Sequence, residues 1–208
     1  MLRTLLLTTL LFSASVHAAE ESRKLAPFNA VNSRGPFVIK VEAGKAQSVV
    51  IRGREDYITQ VETQVVNGEL LLYYKDKDRQ KSKTLDGMDI VITVPALSKY
   101  QQEGAGETIL RNLAGERVDI SYRGAGRLEA SGKVKLLRLK AQGVGEVNTK
   151  ALLAENADVN FEGMGDVSIY ASGTLNAVVR GMGNMSYYGH PKTLNKSVQG
   201  MGSVKAGD

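Results

Sequence analysis

Six Gly-X-Gly triplets recur along the second half of this 208-residue chain, in the words EGAG, RGAG, QGVG, EGMG, RGMG and QGMG. They place Gly104 and Gly106, Gly124 and Gly126, Gly143 and Gly145, Gly163 and Gly165, Gly181 and Gly183, and Gly200 and Gly202 at successive intervals of 20, 19, 20, 18 and 19 residues. A spacing this regular marks an internal repeat, and a repeat constrains the fold before any local motif is weighed. Each unit must pack against its neighbours much as they pack against theirs.

Aligned on the glycines, the units alternate. Two residues before the first glycine stand Gln102, Tyr122, Ala141, Phe161, Val179 and Val198, and four before it stand Tyr100, Ile120, Leu139, Val159, Ala177 and Lys196. Two residues after the second glycine stand Thr108, Leu128, Val147, Val167, Met185 and Val204. These columns are mostly apolar and their sequence neighbours mostly polar, which is the period-2 pattern of strands with one buried face. Apolar stripes of helical period are missing, and only LLAENA at residues 152–157 reads locally as helix. The expected fold is therefore all-β, a solenoid with turns of about 19 residues whose equivalent positions stack in columns about 4.8 Å apart.

Residues 25–97 lack the glycine pair, yet PFVIKVE, SVVIRG, ELLLYYK and DIVITVP alternate like strands, and Asn67-Gly68 is a two-residue hairpin signal. This region is expected to continue or cap the solenoid as an N-terminal β cap. Residues 98–208 carry the repeats, and no Pro/Ser linker divides residues 19–208, so they read as a single domain. Residues 1–18 read as a secretory signal: Arg3, then the apolar TLLLTTLLF, then small residues at Val16 and Ala18 with cleavage expected after Ala18. The expected location is periplasmic or secreted. That apolar run is too short for a comfortable membrane span and no second one follows, so no span is expected.

The chain has no cysteine, which excludes disulfides and thiolate metal sites. Its formal net charge is only +5, and the densest charged run, KDKDRQKSK at residues 75–83, mixes both signs. It reads as a solvated loop, and nucleic acid is not an expected partner.

The order of these motifs resembles the bacterial head GIN domain family, described as proposed heads of autotransporter adhesins. The resemblance rests on PFNAVNSRGPFVIKVEAG, NGELLLYY, the VPAL at residues 94–97, the GAG, GVG and GMG series, and YYGHP at residues 187–191. It covers about residues 25–205. It implies a right-handed parallel β-helix-like fold and an adhesion role, and brings no catalytic residues.

A phosphate cradle needs glycines that open into a helix N-terminus. Here each pair opens into a strand, as in GDVSIY, so no nucleotide or other cofactor is expected. Polysaccharide-cleaving solenoids use clustered carboxylates, for which Glu146, Glu162 and Asp166 are the candidates. The columns also offer ion pairs, Glu103 with Arg123, Glu107 with Arg127, Arg127 with Glu146 and Glu162 with Arg180, which is the preferred reading of these charges. His190, before Pro191, has no evident catalytic partners. No catalytic, cofactor-binding or metal-binding residue is assigned.

The residues between the glycines are Ala105, Ala125, Val144, Met164, Met182 and Met201. Strict alternation would point them outward, making Met164, Met182 and Met201 an adaptable contact surface. A bend or bulge at the glycines would turn them into the narrowing core, and this inward placement is the expectation, since bends are what paired glycines commonly provide. The functional reading is an exported, non-catalytic binding or adhesion-like module of the cell envelope, with a glycan or envelope protein as ligand. A polysaccharide-cleaving enzyme and a self-assembling structural protein are the alternatives. A homo-oligomer would pair through the C-terminal end of the stack, where the last turn offers unpaired backbone.

Overall fold

The computed structural model describes residues 19–75 and 88–207. The leader read in residues 1–18 and all but Lys75 of the charged run at residues 75–83 lie outside the described residues. The fold is all-β. One curled sheet holds eleven strands, accompanied among the described residues by a single four-residue helix, α1 (Glu55–Ile58).

The longest strand, β8 (Lys99–Ala171), has 73 residues. Straight, it would span about 240 Å at roughly 3.3 Å per residue. Instead its successive units lie side by side, because a side chain on Gly124, Gly143 or Gly163 would strike the carbonyl oxygen of Gly104, Gly124 or Gly143 respectively. The last unit of β8 pairs in parallel with β9 (Thr174–Tyr188), so that Gly163 faces Gly181 and Met164 faces Met182. On the far side of β9, again in parallel, run β10 (Thr193–Gly200) and β11 (Ser203–Ala206).

This register carries the inward columns over one another. Tyr100, Ile120, Leu139, Val159 and Ala177 are all buried, as are Leu128, Val147, Val167, Met185 and Val204. Each unit exposes an apolar face along its edge that only the next unit can cover, so burial is shared between neighbours rather than completed within one unit.

The array begins before the glycine repeats. Strands β2 (Ala30–Arg34) and β3 (Val38–Ala43) pair in parallel with the first unit of β8, setting Arg34 opposite Glu103 and Val38 opposite Glu107. Between them, Gly35 and Phe37 take the places of the two glycines: a side chain on Gly104 would strike the Gly35 backbone, and one on Gly106 the Phe37 carbonyl oxygen. RGPF at residues 34–37 is thus a unit of the same kind, with Phe in the second glycine position. Beyond it β6 (Glu69–Tyr74) pairs in parallel with β2, and β7 (Asp89–Val94) with β3.

Antiparallel strands finish that side. β5 (Val61–Val66) joins β6 through Asn67 and Gly68, whose φ values of 51° and 74° are those the two-residue hairpin requires. β4 (Ser48–Gly53) lies against β7, and β1 (Ala19–Ser22) against β4.

The first glycine unit buries polar groups where later units bury apolar ones. The Tyr100 hydroxyl lies 2.8 Å from Gln102 Oε1 and 2.9 Å from Thr108 Oγ1, and Thr108 also bonds Gln102. Burial pushes the Tyr100 hydroxyl above the ordinary phenol range. In the neighbouring layers of the Gln102 column, Ser33 and Tyr122 are equally buried, and Ser33 Oγ, Gln102 Nε2 and Tyr122 Oη have no hydrogen-bond partner among the described residues.

Candidate binding surface

The sequence places every second residue of a unit on the outer face, and the parallel register aligns these residues into polar ladders. The ladder beside the first glycines is continuous over five units. Arg123 Nη2 donates to Gln142 Oε1 at 2.8 Å, Gln142 Nε2 to Glu162 Oε2 at 2.7 Å, Arg180 Nη1 to Glu162 Oε1 at 3.1 Å, and Arg180 Nε to Gln199 Oε1 at 3.2 Å. The Gln142 hydrogen bond, with Arg180 and Lys140 nearby, holds the Glu162 carboxyl below its ordinary range despite some desolvation.

Four residues earlier in each unit a second ladder runs through Asp158, Asn176 and Asn195, with side-chain bonds of 2.7 and 2.8 Å. Beside the second glycines, Arg127 pairs with Glu129 at 2.7 Å and with Glu146 at 3.6 Å.

The expected ion pairs Arg127–Glu146 and Glu162–Arg180 are therefore present, whereas Glu103 and Glu107 pair with neither Arg123 nor Arg127 among the described residues. Arg123 is taken by Gln142 instead. The three candidate catalytic carboxylates do not cooperate. Glu162 belongs to its ladder, and Glu146 and Asp166, on adjacent units of one column, reach in opposite directions to Arg127 and to Asn184. Among the described residues no three acidic or histidine side chains are placed to hold a metal ion. His190 is exposed at a positive-φ turn.

The glycines and the residues between them correct one expectation. Gly163 and Gly165 take φ values of +148° and +134°, and a side chain on Gly165 would strike the Gly145 carbonyl oxygen. The backbone does depart from ordinary strand geometry here, yet alternation survives it. Met164, Met182 and Met201 are 44%, 50% and 81% exposed. The inward placement expected from a glycine bend does not occur: each methionine stays on the outer side of the sheet. With Val144, also exposed, they form an apolar ridge between two polar ladders.

A concavity that the alternation did not reveal lies on the same outer surface, on the side of the ladders away from the ridge. A groove of about 590 Å³ crosses successive units and is lined by Arg117, Asp119, Arg138, Lys140, Asp158 and Asn160 among others. Its charges are largely compensated: Arg117 lies 2.7 Å from Asp119 and Arg138 3.6 Å from Asp158. A smaller groove of about 250 Å³ adjoins it and shares Gln101, Ser121 and Lys140. Glu146, Glu162 and Asp166 line neither. The sequence signal for this surface was the polar residues that stand five and three positions before the glycine pairs, with Val178 the exception.

Against known proteins, the family described as "Putative auto-transporter adhesin, head GIN domain" matches residues 27–191. The chain belongs to this family. Among solved structures, the fold is shared with a putative adhesin of Bacteroides fragilis, 23% identical with a TM-score of 0.73, over 92% of this chain and 98% of that one. A putative lipid binding protein of Parabacteroides distasonis is 20% identical with a TM-score of 0.50, over 93% of this chain and 98% of that one. At these identities the likeness is one of fold. No curated protein matches the chain. No helix among the described residues is long and apolar enough to cross a membrane.

Proposed function

We propose that this head GIN domain is an exported, non-catalytic binding module of the cell envelope, and that its ligand is a glycan chain lying in the large outer groove. The architecture that serves this role is a right-handed parallel β-helix-like solenoid with turns of about 19 residues. The parallel registers of 18 and 19 residues between β8, β9 and β10 support that reading, as do the glycines stacked along β8.

The observation that carries the function is the groove itself. It presents Ser121, Asn160 and Asn176 beside the charge pairs of Asp119 and Asp158, so donors and acceptors recur at each unit. A polymer of hydroxylated rings needs such a repeating, adaptable set of partners along its length. Glu146, Glu162 and Asp166 are spent on arginine, glutamine and asparagine partners outside the groove, and the groove's own Asp119 and Asp158 are paired with Arg117 and Arg138, which supports binding without cleavage.

The test is a glycan array probed with the mature chain, followed by calorimetry on a hit. Binding weakened about tenfold or more by Asn160→Ala with Arg138→Ala, and no release of reducing ends, is expected. Binding indifferent to both substitutions would place the ligand elsewhere. Fractionation of cells tests export, with the protein expected in the periplasm or medium.

A further inference from the structure

The compensated charge of the large groove ends where the small groove begins. In the large groove, the Lys99 ammonium lies 3.1 Å from Glu69, and Arg117 and Arg138 face Asp119 and Asp158. In the small groove stand Arg34, Arg123 and Lys140 against one carboxylate, Glu103. Arg34 and Lys140 are exposed and make no side-chain hydrogen bond or ion pair among the described residues, and Arg123 binds only the neutral Gln142. Glu103, although in register with Arg34, is paired with neither arginine.

We infer that the small groove is an anion subsite, and that the glycan of the large groove carries an oxyanion, a carboxylate, sulfate or phosphate, that sits between Arg34, Arg123 and Lys140. The inference rests on the glycan reading of the large groove. Arg123 and Lys140 lie on adjacent units, offset by two residues, which sets their backbones about 8 Å apart, and Arg34 lies two units before Arg123, about 10 Å away. Long guanidinium and ammonium side chains at those separations converge on one oxyanion or on two along a chain, and Arg123 keeps Nη1 free to donate. Ser121 and Gln101 add neutral partners at the junction of the two grooves. Lys140 lines both, so a chain in the large groove passes beside the cations of the small one.

The experiment compares hexagalacturonate with its methyl ester, which keeps the backbone and removes the charge. A heparin hexasaccharide and inorganic phosphate serve as further probes, all by calorimetry on the mature chain at two salt concentrations. The expected result is about a tenfold preference for the charged oligosaccharide over its ester, weakened by salt and abolished by Arg34→Gln with Lys140→Gln. The heparin probe tells a sulfate preference from a carboxylate one. Equal binding of acid and ester, unaffected by these substitutions, would overturn the anion subsite while leaving the glycan groove standing. Inorganic phosphate binding as tightly as either oligosaccharide would keep the anion site and remove the glycan. Binding of none of the probes would overturn both.

Discussion

At residue scale the glycines and the side chains between them have opposite duties. Gly163 holds φ at +148° with the Gly143 carbonyl oxygen where a Cβ would go, so Gly163→Ala is expected to cost about 2–4 kcal/mol in a denaturant melt. Met164, next to it and 44% exposed, should tolerate alanine within about 0.5 kcal/mol. The glycine columns were legible from spacing alone. The outward methionines were not, because a glycine pair signals a departure from ordinary strand geometry without saying whether the alternation survives it. The buried Tyr122 hydroxyl lacks a partner among the described residues, and Tyr122→Phe is expected to leave stability equal or raise it by up to about 1 kcal/mol. Glu162 carries a pH prediction. Its folded pKa is depressed, chiefly by Gln142 and then by Arg180, so its contribution is present above the unfolded value and is lost as pH falls through the folded one. An NMR titration should find Glu162 below an ordinary glutamate, and Gln142→Leu should move it back up.

At the scale of elements, period-2 alternation foretold strands β3, β4, β6 and β7 closely, and Asn67-Gly68 foretold the β5–β6 hairpin, because both signals are local. The order of the layers was not legible. β2 and β3 are inserted between β6 and β7 on one side and β8 on the other, a choice made by long-range packing. RGPF escaped notice as a repeat unit because Phe37 replaces the second glycine. The ladders were half legible: a column gives each charge two neighbours, and sequence does not say which it takes, as Arg123 shows by choosing Gln142. At the last layer Lys196 occupies an otherwise apolar inward column, and its ammonium donates to the Val204 carbonyl at 3.3 Å. A charge at that place covers core with its stem and discourages another strand from adding to β10. End-to-end pairing of two copies is therefore expected to be weak in the native chain and to appear as dimers in light scattering of Lys196→Val. A monomeric Lys196→Val at high concentration would contradict this.

At the scale of the whole molecule, repetition accounts for stability and, in the proposed function, for recognition. Inward columns bury each layer against the next, and outward columns repeat the same polar partners at every layer, which is how a fold without a cleft between domains acquires a long groove. The groove itself was not legible, since concavity depends on how the sheet curls rather than on which residues alternate. The most direct measurement is chemical-shift mapping of residues 19–208 titrated with an oligosaccharide, read beside an assay for released reducing ends. Shifts are expected to cluster at Ser121, Arg138, Lys140 and Asn160, spreading toward Arg34 and Arg123 for an acidic chain, with no product formed. Shifts confined to Met164, Met182 and Met201, or cleavage of the oligosaccharide, would contradict it.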